Sequence, residues 1–275
     1  SGRSDLSADF DAISYRMQGD QYFENYLPVN GGYDQETKGD IPSSITIYSG
    51  KADYSARWNG GFSFEAGWKS SRVHTDNEAA YYFRDGGAWQ PDLARTNHFL
   101  YTEVIHAAYV SASRKSGRWN YQAGLRFEAT NYDARQLGNA VIKDSSFSRN
   151  YNSLFPTAYL SYQVDSVNQL VLSAGRRIDR PPFQRLNPFV FVINKYTFEV
   201  GNPYILPQYT WNIELQHQYK DWLQTGVSYS ISNDYFSQIF LSDTSTGNVI
   251  YTQGNVGSLK NLAVSVSLQL APANW

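Results

Sequence analysis

Asp9-Phe10-Asp11 puts two carboxylates on one face of a segment in which apolar and polar residues alternate. A pair like this could serve as general acid and base or contribute to a Ca²⁺ site. Neighbouring polar positions facing water account for it equally well. The chain has four histidines, His74, His98, His106 and His217. His98 and His106 share a strand face, but eight residues at ~3.3 Å each put them about 26 Å apart, too far to share a metal ion. Cys is absent, which removes thiolate metal sites, a cysteine nucleophile and any disulfide framework, and leaves the chain indifferent to redox. No G-x-S-x-G, Walker loop, G-x-G-x-x-G or H-E-x-x-H occurs. Catalysis, a metal and a cofactor are therefore not expected.

The remaining charged residues fall into two groups. Arg126 and Glu128 lie on the polar side of Trp119–Asn131, and Glu214 and Gln216 on the polar side of Gln208–Lys220. These four are candidates for a watery interior, either as cross-strand pairs or as part of a solute path. The second group is in the segment from Gly175 to Thr210, where Arg176, Arg177, Arg180 and Arg185 accompany Pro181, Pro182 and Pro188 and several aromatics. Proline removes ladder donors, so most of this segment is expected to hug a rim as a structured loop. Basic and aromatic residues together also suit single-stranded nucleic acid, but a net charge of -2 and a pI near 6.1 argue against that partner.

The elements that must position these residues are strands. WNYQAGLRFEATN sets Trp119, Tyr121, Ala123, Leu125, Phe127 and Ala129 against Asn120, Gln122, Gly124, Arg126, Glu128 and Thr130. Period two dominates the chain and predicts strands near 5–16, 43–56, 61–74, 95–113, 118–133, 150–164, 168–178, 207–219, 222–241 and 248–270. Most exceed ten residues, against ~5–6 in globular proteins. Short turns at 57–61, 114–117, 164–167 and 219–222 alternate with long polar segments near 17–42, 75–94, 134–149, 179–206 and 242–247. The pattern predicts an antiparallel up-and-down transmembrane β-barrel with apolar sides toward lipid. Trp58, Trp68, Trp119, Trp211 and Trp222 are placed for interfacial girdles. The low charged fraction (17%) and high aromatic fraction (16%) fit, and a mean hydropathy of -0.50 does not exclude a barrel whose strands alternate.

The segment RRIDRPPFQRLNPF and the run KYTFEVGNPYILPQYTWNIELQHQY also resemble a known family. They look like the late-barrel signature of the Bacteroidetes-type outer-membrane β-barrels related to TonB-dependent receptors. The Gly201–Leu215 core is the most specific part; Ile47–Tyr54, Trp119–Thr130 and Ser153–Tyr162 are similar to family segments too. The resemblance implies a barrel of ~22 strands, of which about ten are present across residues 1–275, with a plug and terminal strands lying outside them. It implies an outer-membrane location, surrounding lipid, a TonB complex reached through an N-terminal region, and a possible lipoprotein partner. The ligand would be a bulky nutrient such as a glycan, siderophore or peptide. It also makes 176–207 an extracellular loop, with Arg176, Arg177, Arg180, Arg185, Asn187, Tyr196, Asn202 and Tyr204 as candidate contacts. The rival expectation is a soluble or surface-attached β-sandwich or barrel that binds carbohydrate through aromatic loops without transport; a third is a passive porin or purely structural barrel. A partial barrel would carry two unpaired edges.

Overall fold

The computed structural model describes residues 2–27, 32–194, 196–245 and 247–269. Ten long strands form one antiparallel meander. In chain order the first eight strands are β1 (Arg3–Met17), β2 (Asp20–Leu27), β3 (Gly32–Asp40), β4 (Ser43–Trp58), β5 (Phe62–Asp85), β6 (Ala88–Pro91), β7 (Asn97–Ser116) and β8 (Trp119–Leu137). They are followed by β9 (Ser145–Gln163), β10 (Asn168–Asp179), the single-turn helix α1 (Phe183–Leu186), β11 (Val190–Asn194) and β12 (Thr197–Val200). β13 (Gln208–Tyr219), β14 (Leu223–Asp243) and β15 (Asn248–Leu268) complete the chain. The wall runs β1-β4-β5-β7-β8-β9-β10-β13-β14-β15, and among the described residues β1 and β15 do not pair with each other.

All ten expected strands are present. The differences lie in the expected loops. Region 17–42 contains the β2–β3 hairpin, which joins the upper part of β5 together with β6. Segment 179–206 contains α1, β11 and β12. The short turns have local causes. Gly60 and Gly61 adopt φ of 96° and 75°, a region open to glycine without strain. In the next turn but one, Asp165 Oδ1 accepts the backbone N–H groups of Val167 and Asn168, both at 2.8 Å.

The polarity of the wall inverts along its height. In the lower half of β8 the outward residues are Trp119, Tyr121, Leu125 and Phe127, with Leu125 and Phe127 more than 40% exposed. Above Thr130 the outward residues become Asn131, Asp133 and Arg135, while Tyr132 and Ala134 point inward and are buried. β5 behaves alike: Phe62, Phe64 and Trp68 face out below, then Arg72, His74 and Glu78, with Ala79 and Tyr81 buried inside. The apolar outer belt on β8 covers ten steps from Trp119 to Ala129, ~33 Å along the strand or ~25 Å at a ~40° tilt, the height of an outer-membrane apolar band. Trp58, Trp68, Trp119, Trp211 and Trp222 all lie half-exposed in or at the edges of this belt.

Above the belt the inner face has an ordinary protein core. Tyr81, Phe99, Tyr101, Tyr132 and Ala134 from the wall meet Leu186, Phe189 and Ile205 from segment 180–207. That segment reaches the interior because the β10–β13 hairpin is short. β10 and β13 have 12 residues each, against 19 in β9 and 21 in β14. β9 stops pairing with β10 at Thr157↔Gly175, beside Pro156, which has no N–H to give. Side chains bridge the resulting notch: Arg176 Nη1 donates to the Leu154 carbonyl at 2.9 Å, and the Tyr209 and Ser153 hydroxyls are 2.8 Å apart.

Candidate functional site

Under the infolded segment, the inner wall of β5, β7, β8, β9 and β10 lines a cavity of about 590 Å³. Alternation brings Gln122, Arg126, Glu128, Thr157 and Arg177 to one side, because paired strands in register show the same side at the same level; Arg176 has the opposite parity, paired with Trp211, and reaches the cavity at the notch. Arg126, Glu128, Arg176, Arg177 and Arg180 all line it, with Gln122 and Thr157. Glu65, Tyr109, Phe155 and Thr157 are not among the residues expected from sequence; the same parity rule, applied to the neighbouring strands, points to them.

The roof of the cavity is an ion cluster. Arg180 Nη2 lies 2.5 Å from Glu128 Oε2 and 3.1 Å from Thr130 Oγ1, and its Nε donates to the Tyr151 hydroxyl at 3.1 Å. Arg126 Nε lies 2.6 Å from Glu128 Oε1, close enough for an ion pair but not aligned for a hydrogen bond. Glu128, with only 7% of its side chain exposed, thus carries two guanidinium partners. This fastens the start of segment 180–207 to β8.

The rest of the segment is held from the other side. Asn202 Nδ2 donates to the Gln253 carbonyl and Asn255 Nδ2 to the Leu206 carbonyl, while the Leu206 N–H goes to Asn255 Oδ1. β12 adds a parallel ladder to β15, Thr197↔Val249 through Glu199↔Tyr251. Gly201 has a steric reason: a Cβ there would come within 1.9 Å of the Asn187 carbonyl oxygen. The segment therefore spans from β8 across the inner face to β15.

The other sequence candidates are distributed as follows. Arg176 and Arg177 are still part of β10, so the excursion from the wall begins after Asp179. Arg185 ion-pairs with Glu199, and Asn187 is buried, its Oδ1 accepting the Phe189 N–H. Tyr196 and Tyr204 are exposed, Tyr204 at 74%. Glu214 and Gln216 bond each other at 2.7 Å on the inner face of β13, away from the cavity. Asp9 pairs with Lys51, and Asp11 accepts from Ser49. His98 bonds Asp76 and His74 bonds Thr102, both on the outer face. Among the described residues no group of three metal-ligating side chains exists.

The arrangement is a wall with an apolar lower exterior and a polar cavity inside, roofed by a chord of chain. Two solved structures share the fold. The copper transporter OprC aligns with a TM-score of 0.61 at 14% identity, over 95% of this chain and 41% of that one. The ferric citrate transporter FecA, in its unliganded form, aligns at 0.52 and 14% identity, over 96% and 38%. This chain thus spans less than half of either. No curated protein matches it in sequence. Residues 1–275 match the outer membrane protein beta-barrel family along their whole length. The chain belongs to that family, and its place is the outer membrane.

Proposed function

We propose that this chain forms part of the wall of a TonB-dependent-receptor-like transporter that takes up a bulky nutrient, such as a glycan, siderophore or peptide. The observation that carries this reading is the inverted wall: lipid-facing below, solvent-facing above, with a polar cavity inside under segment 180–207. The folds of OprC and FecA support it. In this reading outer-membrane lipid contacts the Trp58–Trp222 belt, and energy comes from a TonB complex through a region outside the chain. A lipoprotein partner would sit on the extracellular side, where the long connections lie. Tyr196 and Tyr204 are exposed there for ligand contact, and Arg126, Glu128, Glu214 and Gln216 border the path. No enzymatic step is assigned. The exposed apolar belt disfavours a soluble carbohydrate-binding sandwich, which would bury such faces against each other.

The test is uptake in the native host with the full-length gene deleted and restored. Labelled glycan, siderophore and peptide pools are offered with and without a protonophore. Accumulation that needs both the gene and the proton-motive force supports the reading. Entry that ignores the protonophore would make the protein a passive pore.

A further inference from the structure

Several cations around the cavity and along the wall are already engaged. Arg180 holds Glu128, Arg185 holds Glu199, and Lys51 lies between Asp9 and Asp53. Arg176 donates to the Leu154 carbonyl and stacks 4.3 Å over the Tyr209 ring. Arg177 differs: it is exposed, lines the cavity, and makes no hydrogen bond or ion pair among the described residues. Arg126 is engaged only through Nε, and 44% of its side chain is exposed. Both line the same cavity, Arg126 from β8 and Arg177 from β10. Arg126 pairs with Phe155, one row above Gly124↔Thr157↔Gly175, where the β9–β10 ladder ends; Arg177 lies two residues beyond that end, on the same side of β10 as Gly175. β9 lies between their two strands. Two guanidinium groups thus reach one cavity from strands on either side of β9. Glu128, between Arg126 and Arg180, is already neutralised, and of the lining residues only Glu65, on β5, remains as an opposing charge. Planar forks in a partly desolvated cavity favour an oxyanion that accepts two parallel N–H bonds.

We propose that Arg126 and Arg177 form a clamp for an oxyanion, a carboxylate or phosphate group carried by the transported solute. The clamp rests on the reading of the inner face as a solute passage. It gives that passage a preference for acidic solutes over neutral ones of the same size.

The test uses full-length protein in detergent at constant ionic strength, titrated calorimetrically with inorganic phosphate, glucuronate, glucose and glucosamine. Saturable binding of phosphate or glucuronate, with none of glucose or glucosamine, is expected. Binding of phosphate alone assigns phosphorylated solutes, and of glucuronate alone carboxylated ones. Arg177→Gln should weaken binding at least tenfold, while Arg177→Lys, a point charge without a fork, retains part of it. Arg126→Gln should act likewise; if it fails to fold, Arg177→Gln carries the test, because Arg177 has no hydrogen-bond or ion-pair partner among the described residues. Absence of saturable binding for both oxyanions, or binding that Arg177→Gln leaves unchanged, overturns the clamp. If that happens while energised uptake persists, the passage stands and only the clamp falls. Oxyanion binding without energised uptake overturns the clamp's role in transport.

Discussion

Replacing Gly201 by Ala tests whether segment 180–207 is a fixed part of the interior. A Cβ at that position would lie 1.9 Å from the Asn187 carbonyl oxygen, 2.8 Å from its carbon and 3.0 Å from the Arg185 oxygen. All three are backbone atoms, so no rotamer change relieves the overlap. Leu186, Phe189 and Ile205 are buried in the same core. Their burial contributes about 1.5–3 kcal/mol each, about 5–9 kcal/mol together as an upper bound before ordering of the segment is charged against it. Overpacking a well-packed site costs about 1–3 kcal/mol. At tenfold per 1.4 kcal/mol, local opening becomes roughly 5- to 150-fold more frequent. Hydrogen exchange on the full-length protein in detergent reads this directly. The amides to follow are Phe189, Asn202 and Leu206, which donate to Asn187 Oδ1, the Arg185 carbonyl and Asn255 Oδ1. They should exchange faster in Gly201→Ala by that factor, while amides in β8 keep their protection. Gly50→Ala is the control, because its Cβ would meet only Phe10 Cδ2 at 3.8 Å and the Asp9 carbonyl at 4.0 Å. Unchanged exchange across the segment in Gly201→Ala would refute the docked chord.

Three further outcomes are expected. Leu125→Arg places a charge near the middle of the outer belt and should cost about 2–4 kcal/mol, seen as loss of the heat-modifiable folded band on electrophoresis. Gln122→Arg, on the inner side of the same strand, should keep that band, and equal losses would contradict the assignment of sides. Glu128→Ala leaves Arg180 without its carboxylate and should cost up to about 3 kcal/mol in thermal unfolding, the low end for buried pairs because Arg180 keeps some water; Glu128→Leu with Arg180→Met should recover much of that loss. The Asp165 carboxyl is held below the usual carboxylate range by the Val167 N–H, then by the Asn168 side chain. Its folded pKa is lowered, so its contribution is present above the unfolded value of ~3.9 and lost as pH falls through the lowered one. The difference between wild type and Asp165→Asn should therefore shrink on acidification below about pH 4, and a difference that grows there would contradict the hydrogen-bond assignment.

The ten-strand meander is legible in the sequence because strict alternation over more than ten residues is rare outside strands that divide two solvents. Strand ends are less legible, and β8 shows why. After Thr130 the pattern slips by one: Tyr132 and Ala134 take the parity that held Arg126 and Glu128. In the sequence such a slip resembles the end of a strand, which is why alternation predicts a stop at 133 while pairing continues to Leu137. The backbone does not slip; the surroundings change, from lipid to water outside and from water to packed side chains inside. The same inversion makes the predicted end of β5 fall at 74, although the strand runs to Asp85. Segment 180–207 resists reading differently. Its prolines rule out central sheet, but its burial depends on Phe99 and Tyr101, some eighty residues earlier in the chain. The role of Gly201 depends on a backbone oxygen that no local pattern announces. The arginines of the cavity are recognisable as a group, but their division into engaged and unengaged ones needs the register.

The inversion along each strand separates two sets of constraints on a single ribbon. Below the line, a position tolerates change according to how it meets hydrocarbon; above it, the same parity answers to water, phages and antibodies. Exteriors can thus diversify, or be exchanged between relatives by recombination at that height, without disturbing how the protein is anchored.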